Sequence, residues 1–493
     1  MKRILLIISL LVSIGLNAQN ERAFEYKWKI MQETDSMGSD RHTFANHYSF
    51  TRGLSGSDRE ENSISILPVL ELGADTNTAF LGAGVQFFGR VKDKFGYSVT
   101  GLFNYYKTWE DHGFKAFRNL GVVPGAGRLY KNTDDEYWSF FGRGKLTYRP
   151  VKYVDLELGR GKQHFGEGYR SMFQSDFASP TEYFKITSTF WRIQYTNLWQ
   201  RLQHVNFANV EEGEWRAEDK WTTTHIFDFK ASKRISFQLF ETVIWQNGEG
   251  EVHRGFDPNY LNPMIFYRPV EFSIGSPDNV MIGAGMSYFA AKEVKLYGQL
   301  LLDEFLLKEI RAREGWWGNK YAGQIGIKSY NSLGIDGLLL LGEFNAVRPF
   351  TYAHGAAVQG YGHLNQPLAH PFGANFYEVL ALAAYREDRF FFQSKFSWKK
   401  QGFSTSENVG EDIFTSYFIN RQRDRGFEIS EGESMSYAIA ELRTQYLLSP
   451  DMNLWLQALV NVKIALSNHS DDAMFKLGLK SAIFNRYYDS HLR

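Results

Sequence analysis

Residues 79–105 read AFLGAGVQFFGRVKDKFGYSVTGLFNY, two alternating runs joined by a short polar turn. In the first run Ala79, Leu81, Ala83, Val85, Phe87, Gly89 and Val91 share one face, and small or polar Gly82, Gly84, Gln86 and Arg90 oppose them. After Lys92, Asp93 and Lys94 the same parity resumes with Phe95, Tyr97, Val99, Gly101, Phe103 and Tyr105, against Ser98, Thr100 and Asn104. Side chains of a strand point alternately to its two faces, so each run has an apolar and a polar side. Strands of roughly 9–11 residues with that dyad, joined in hairpins, encode a bilayer-spanning β-barrel whose apolar side meets lipid and whose polar side meets the lumen. Aromatic residues toward the run ends suit the membrane interfaces.

The same grammar recurs near residues 64–73, 79–91, 95–106, 137–149, 153–160, 183–197, 222–231, 235–246, 280–290, 294–304, 321–329, 335–346, 376–385, 390–399, 436–447, 452–465 and 474–485. Seventeen runs are countable. Single-chain bacterial barrels have even strand numbers, so the expectation is an all-β, antiparallel transmembrane barrel of about 18 strands, with 16 as the neighbouring value. Short turns at 92–94, 150–152, 232–234, 291–293, 331–334, 386–389 and 449–451 are expected on the periplasmic side. Long segments at 107–136, 161–182, 198–221, 247–279, 305–320, 347–375 and 400–435 are expected to be extracellular or folded into the lumen, where function concentrates. The final run, followed by Phe484, Tyr487 and Tyr488, reads as an aromatic-rich closing strand.

Composition and the N-terminus agree with that address. Lys2 and Arg3 precede an apolar stretch, Ile4–Leu16, ending at Asn17 and Ala18, which reads as a secretory signal peptide over residues 1–18. No stretch approaches the roughly 20 apolar residues of a transmembrane helix. Residues 19–61 are polar without a sustained period and read as a short periplasmic or lumenal segment, leaving 62–493 for the barrel in the outer membrane. The chain has no cysteine, so neither a disulfide frame nor a lipid-accepting cysteine is available. With 41 Phe and 27 Tyr it can furnish aromatic girdles, and its 55 basic and 55 acidic residues offer no global field for nucleic acid.

Three segments carry chemistry. The block NPMIFYRPVEFSIGSPDN at 262–279, with LYGQLLLDEF at 296–305, gathers Asp257, Asn262, Arg268, Glu271, Asp278, Asn279, Asp303 and Glu304 beside Phe266, Tyr267 and Phe272. Planar polar groups grip hydroxyls while aromatic faces cover the apolar side of sugar rings, so carbohydrate fits this mixture. The structural alternative is a loop tied to the wall through Arg268 with Glu271 or Asp303. Asp303 and Glu304 are neighbours on a strand, expected on opposite faces, and so cannot jointly flank a glycosidic bond. In RPFTYAH at 348–354 and PLAHPFGANFYE at 367–378, His354, His363 and His370 accompany Asn375 and Glu378. Their spacings match no compact metal motif, and the expectation is a lumenal loop satisfying its own backbone, with no metal and no cofactor. GRGKQHFGEGYRSMFQSDFASP at 159–180 is glycine-rich without the ending of a phosphate loop; its glycines let the backbone bend, with Arg160, Lys162, His164, Glu167 and Arg170 directed inward. No nucleophile elbow stands out, so no enzyme is expected.

HFGEGYRSMFQSDFASP, the NP…YRPVE…SPDN…LYGQLLLDEF block and PLAHPFGANFYE together resemble the Wzi-type capsule-assembly outer-membrane proteins, in particular their RemB-like gliding-motility branch of the Bacteroidota. The resemblance implies an 18-stranded outer-membrane barrel with an occluded lumen. It further implies a lectin-like partner for capsular or extracellular polysaccharide, or a role linked to surface gliding; an accessory of a secretion or gliding machine is a separate reading. A diffusion channel or transporter is the competing class. The capsule proteins carry a helical bundle near the N-terminus, whereas residues 19–61 here offer at most a short helix.

Overall fold

The computed structural model describes residues 62–92, 94–109, 117–249, 252–264, 278–450, 452–467, 471–481 and 487. The expected signal peptide and the segment 19–61 lie outside them. The described chain forms an eighteen-stranded antiparallel barrel. Its strands are β1 (Asn62–Asp75), β2 (Thr78–Val91), β3 (Phe95–Thr108), β4 (Glu136–Val151), β5 (Val154–Gly161), β6 (Thr181–Phe190), β7 (Ile193–Asn209), β8 (Glu214–Lys230) and β9 (Ile235–Gln246). They continue as β10 (Asn279–Ala291), β11 (Val294–Glu304), β12 (Lys320–Ser329), β13 (Leu338–Val347), β14 (Phe376–Glu387), β15 (Phe390–Phe403), β16 (Glu433–Ser449), β17 (Leu454–Ala465) and β18 (Asp472–Ser481). Every strand pairs with its sequence neighbour, and β1 closes the ring on β18 from Glu71↔Lys480 to Asp75↔Lys476. Closure leaves no unpaired edge, which a hydrocarbon environment demands. Among the described residues no helix is long and apolar enough to cross a membrane.

The even strand number comes from a turn that alternation conceals. The run expected at 183–197 is two strands, β6 and β7, and the expected long loop at 198–221 is the upper halves of β7 and β8, paired from Lys220↔Leu202 to Glu214↔Asn209. The reversal falls at Trp191 and Arg192, with Trp191 at a left-handed φ of 50°. A tryptophan there carries no turn signature, and no Gly, Pro, Asn or Asp between Tyr183 and Thr196 interrupts the run, although the outward parity passes from Phe184 and Phe190 to Trp191 and Ile193 at the reversal. The last strand ends at Ser481; residues 482–485 of the expected closing run lie outside the described residues, and Tyr487 is buried.

The wall has the expected polarity. Phe87, Phe103, Phe140, Ile325, Phe396 and Leu442 face outward and are exposed, while Gln86, Ser139, Lys328, Lys395 and Glu441 face inward and are buried. One departure concerns the lumen near the short turns beside β13–β17. There Leu339, Leu341, Leu380, Leu382, Phe391, Leu447 and Trp455 line an apolar cluster that also takes in Tyr169, Phe177 and Tyr487. Lumen-facing positions are free to be apolar where other parts of the chain, rather than water, cover them.

Candidate functional site: a filled lumen and its cap

The connections 162–180 and 348–375 fold into the barrel; all of the first but Lys162 is buried, and so is most of the second, with 354–358 half-buried. The first narrows into a hairpin-like turn through the bridge Phe165↔Gln174. Gly166 and Gly168 serve close approach: a Cβ at Gly166, whose φ is 136°, would meet the Gln299 amide at 2.3 Å, and one at Gly168 would meet a Glu343 oxygen at 2.6 Å. The expected bending role of these glycines is thus joined by contact with the wall. Phe173 stacks on inward Phe240 of β9 at 4.7 Å between ring centroids, inside a core that includes Met172, Tyr352, Tyr361, Leu368 and Phe372 from the two connections.

Charged wall residues fasten this plug. Glu167 receives Lys295 of β11 at 3.2 Å and Lys328 of β12 at 2.6 Å. Arg170 donates to Glu378 of β14 at 3.2 and 3.4 Å, and the same carboxylate contacts His370 at 2.7 Å, accepts from Ser397 at 2.7 Å and from Asn345 at 3.1 Å. Glu343 of β13 accepts the Tyr297 hydroxyl at 2.7 Å and the backbone N–H groups of Tyr169 and Arg170. Asp303 of β11 accepts the Tyr352 N–H at 2.8 Å and pairs with Lys320 of β12 at 3.0 Å. Buried ions need partners, and Glu167, Glu378 and Asp303 have cations beside them, whereas Glu343 is held by the Tyr297 hydroxyl and two backbone N–H groups.

The candidate residues therefore divide by location. His164, Glu167, His370, Asn375 and Glu378 lie inside the plug or on the wall that holds it. His164 faces Asp176 at 3.7 Å, and Asp176 accepts the Tyr487 hydroxyl. Asn279 and Asp303 are lumen-facing, the former donating to the Gln359 carbonyl at 3.0 Å. His354 accepts the Ala356 N–H at 3.2 Å, and burial, helped by Lys320, pulls its imidazole down to about 4. The three histidines have separate partners, His363 accepting the Gln203 N–H at 3.0 Å, and among the described residues no cluster of three acidic or imidazole groups suits a metal.

Two expectations of direction fail. Arg160 points outward, at 3.5 Å from Glu182, because it shares parity with outward-facing Leu158. Asp303 and Glu304 do not take cleanly opposite faces: a register shift between Leu302 and Glu304 brings Glu304 to 3.4 Å from the same Lys320. Apart from lumen-facing Asn279, the described part of the 257–279 block lies neither in the lumen nor in the plug. Arg254 clasps Asp257 at 2.7 Å and Asp278 at 2.8 Å, and Asn262 accepts the Met264 N–H at 3.1 Å, all against the outer face of β7–β9. Tyr267, Arg268 and Glu271 lie outside the described residues.

Above the plug, the connections 305–319 and 404–432 form a cap. Trp317 N–H donates to the Asp424 carbonyl, and Phe427 N–H to that of Gly315. Arg348, at the root of the plug, donates to the carbonyls of Trp316 at 3.4 Å and Phe427 at 3.0 Å. The Arg421 guanidinium lies 3.8 Å from the Trp317 ring, Tyr417 packs against that ring at 4.8 Å, and Phe418 projects beside them, 68% exposed. Trp316 is half-buried. None of these aromatic residues stood out in the sequence; the adjacent pair Trp316–Trp317 in a connection between strands was the available signal.

No protein-family model matches the chain, and no curated protein matches it. Among solved structures it is similar to Wzi, an outer-membrane protein involved in group 1 capsule assembly in Escherichia coli and described as a carbohydrate-binding β-barrel. Identity is 13%, with 85% of each chain covered and a TM-score of 0.53. It is also similar to the outer-membrane proteins OprD (12% identity, 86% and 94% covered, TM-score 0.45) and OpdK (9%, 85% and 98%, 0.47) of Pseudomonas aeruginosa. At such identities the likeness is one of fold: a large β-barrel resembling outer-membrane proteins.

Proposed function

We propose that this chain is a non-enzymatic outer-membrane barrel that binds surface polysaccharide through the cap at its long-loop end. The observation that carries the proposal is the filled lumen: two connections are buried in it and fastened by Glu167, Glu343, Glu378 and Asp303. A solute path would require that network to break. The cap instead offers exposed Phe418 and half-buried Trp316 near Arg421, Arg423 and Glu407. Aromatic faces cover the apolar side of a pyranose while guanidinium and carboxylate groups take its hydroxyls. Similarity in fold to the carbohydrate-binding barrel of Escherichia coli supports the same choice. The plug residues singled out in the sequence then act as scaffold, and the ligand surface moves outward from 347–378 to 305–319 and 404–432.

The test is binding of the purified barrel to the surface polysaccharide of its own cells, compared with Phe418→Ala and Trp316→Ala. Retained binding in both variants refutes the cap; no binding by the unaltered protein refutes the polysaccharide. A deletion strain separates this role from the motility-linked one that the RemB-like resemblance implies, since loss of spreading with intact surface polysaccharide favours the latter. Planar-bilayer conductance tests the channel alternative, which requires steady current from the unaltered protein.

A further inference from the structure

On most of the wall, outward positions at mid-height are exposed. On β7–β9 they are not. Asn197, Thr223, His225, Glu241, Val243 and Trp245 all face outward, by parity with lipid-exposed Phe237 and Leu239, yet all are buried. The contrast is sharpest across one pair of strands: Glu241 is 1% exposed, while its neighbour in register, Ile282 of β10, is 40% exposed. His225 and Glu241 stand 3.7 Å apart in this covered patch.

The cover is the connection after β9, which descends the outside of the barrel. Trp245 Nε1 donates to the Gly255 carbonyl at 3.1 Å. Lower down, Trp199 Nε1 and Thr223 Oγ1 donate to the Tyr260 carbonyl at 2.8 and 3.3 Å. Lower still, the Tyr195 hydroxyl donates to the Pro263 carbonyl at 2.5 Å. Tyr195 is in register with Phe227, and Phe227 with Leu239, so between Gly255 and Pro263 the segment passes from the level of Trp245 to that of Leu239. Six residues of a strand tilted by about 45° correspond to about 14 Å along the barrel axis, nearly half of a hydrocarbon core of about 30 Å. Wall-facing Tyr260 is buried, whereas Leu261 is 50% and Met264 71% exposed on the far side.

We propose that residues 255–264 form an external strap immersed in the leaflet on the long-loop side, with Leu261 and Met264 in contact with lipid acyl chains. The strap's exposed Pro258, Leu261, Pro263 and Met264 continue the lipid-facing surface of Phe237, Leu239, Ile282 and Met286, while exposed Asn259 and Asn262 form hydrogen bonds within the strap, to Asp257 and the Met264 N–H. The carbonyls of Gly255, Tyr260 and Pro263 are taken up by wall side chains and that of Asp257 by the Tyr260 N–H, in keeping with the demand of hydrocarbon on backbone groups. Beneath it, His225 and Glu241 are kept from lipid, where an ionisable side chain on the outer face of a barrel is destabilising. The inference goes beyond polysaccharide binding and rests only on the membrane-spanning part of the proposed function.

The absence of cysteine makes the test direct. Leu261→Cys, Met264→Cys, Leu239→Cys and Ile419→Cys each alter an exposed side chain and are labelled with an environment-sensitive fluorophore. The labelled proteins are reconstituted in dioleoylphosphatidylcholine vesicles with or without its brominated analogue. Positions 261 and 264 are expected to lose fluorescence to brominated lipid as position 239 does, and to resist aqueous iodide, with position 419 behaving oppositely. If 261 and 264 respond to iodide as 419 does while 239 stays lipid-quenched, the strap is refuted and the spanning barrel stands. If 239 also responds as 419 does, the spanning barrel falls, and the strap with it.

Discussion

Glu378→Ala is the sharpest test of a fastened plug. The substitution removes the acceptor for two Arg170 bonds and for Ser397 and Asn345, together with the partner of His370, in a site without solvent exposure. Truncating one member of a buried ion pair costs about 3–5 kcal/mol, because the other charge is left uncompensated. At tenfold per 1.4 kcal/mol that is a shift of roughly 100- to 4,000-fold toward an undocked 162–180 connection. The ring itself is held by strand pairing and survives, so the variant keeps the heat-modifiable migration of a folded barrel. Single-protein bilayer recordings are the assay: a nearly silent parent, and frequent openings in Glu378→Ala. Replacing the pair with apolar groups should recover much of the loss, since a well-packed substitute for a buried ion pair is often neutral. Arg170→Met with Glu378→Met is therefore expected to be quieter than Glu378→Ala. A folded Glu378→Ala barrel as silent as the parent would refute the tether, and a double variant at least as active as the single would refute its electrostatic basis.

Three further outcomes are expected. Phe173→Ala removes a fully buried ring stacked on Phe240, a class of change that costs about 3–5 kcal/mol, and should render 162–180 susceptible to limited proteolysis while β9 stays intact. Phe418→Ala and Trp316→Ala should each weaken polysaccharide binding without altering bilayer conductance, read by titration of the purified variants. The His354 imidazole, edge-on to the cap's Tyr417 at 5.9 Å between ring centroids, is pulled by burial to about 4 against about 6.5 in an unfolded chain, so its contribution to holding the cap is present above pH 6.5 and is lost as pH falls toward 4. Urea unfolding of the cap, followed by tryptophan fluorescence at pH 7.5 and 4.5, should show that loss, and His354→Asn should flatten the slope.

The wall was legible because lipid and lumen impose opposite chemistry on alternate residues, a rule that Ala79–Val91 and Phe390–Lys399 follow at most positions, with Phe80, Phe88 and Phe391 as buried inward exceptions. Turn chemistry was legible where Asp93, Asn331 or Asp388 supplied it, and hidden at Trp191, where an aromatic residue occupies a left-handed turn. Which way a polar connection folds was not legible. His164–Pro180 and Pro367–Glu378 are rich in amides, carboxylates and rings, and that composition serves an exposed ligand loop as well as a buried plug. What decides is the set of partners, and Lys295 on β11, Lys320 and Lys328 on β12 and Glu343 on β13 are isolated inward positions, meaningful only once register is known. Arg160 shows the same limit, since its direction follows from its parity with Leu158 rather than from its glycine-rich surroundings.

Plug and cap share supports, and this constrains how their variants combine. Asn375 donates to the Gly402 and Glu431 carbonyls at 3.1 and 2.9 Å and accepts the Glu431 N–H, so the end of the plug connection is bound to the end of a cap connection. At the other end Arg348 reaches the Trp316 and Phe427 carbonyls, and Phe350 N–H donates to Gly410. Residues joined by one hydrogen-bond network depart from additivity by about 0.5–3 kcal/mol, whereas distant ones add. Asn375→Ala combined with a cap substitution should therefore be non-additive in urea unfolding of the cap. Leu261 and Met264, across the wall from this network, should combine additively with either. Strong coupling between the strap and the cap would mean that the wall transmits what its paired strands are built to isolate.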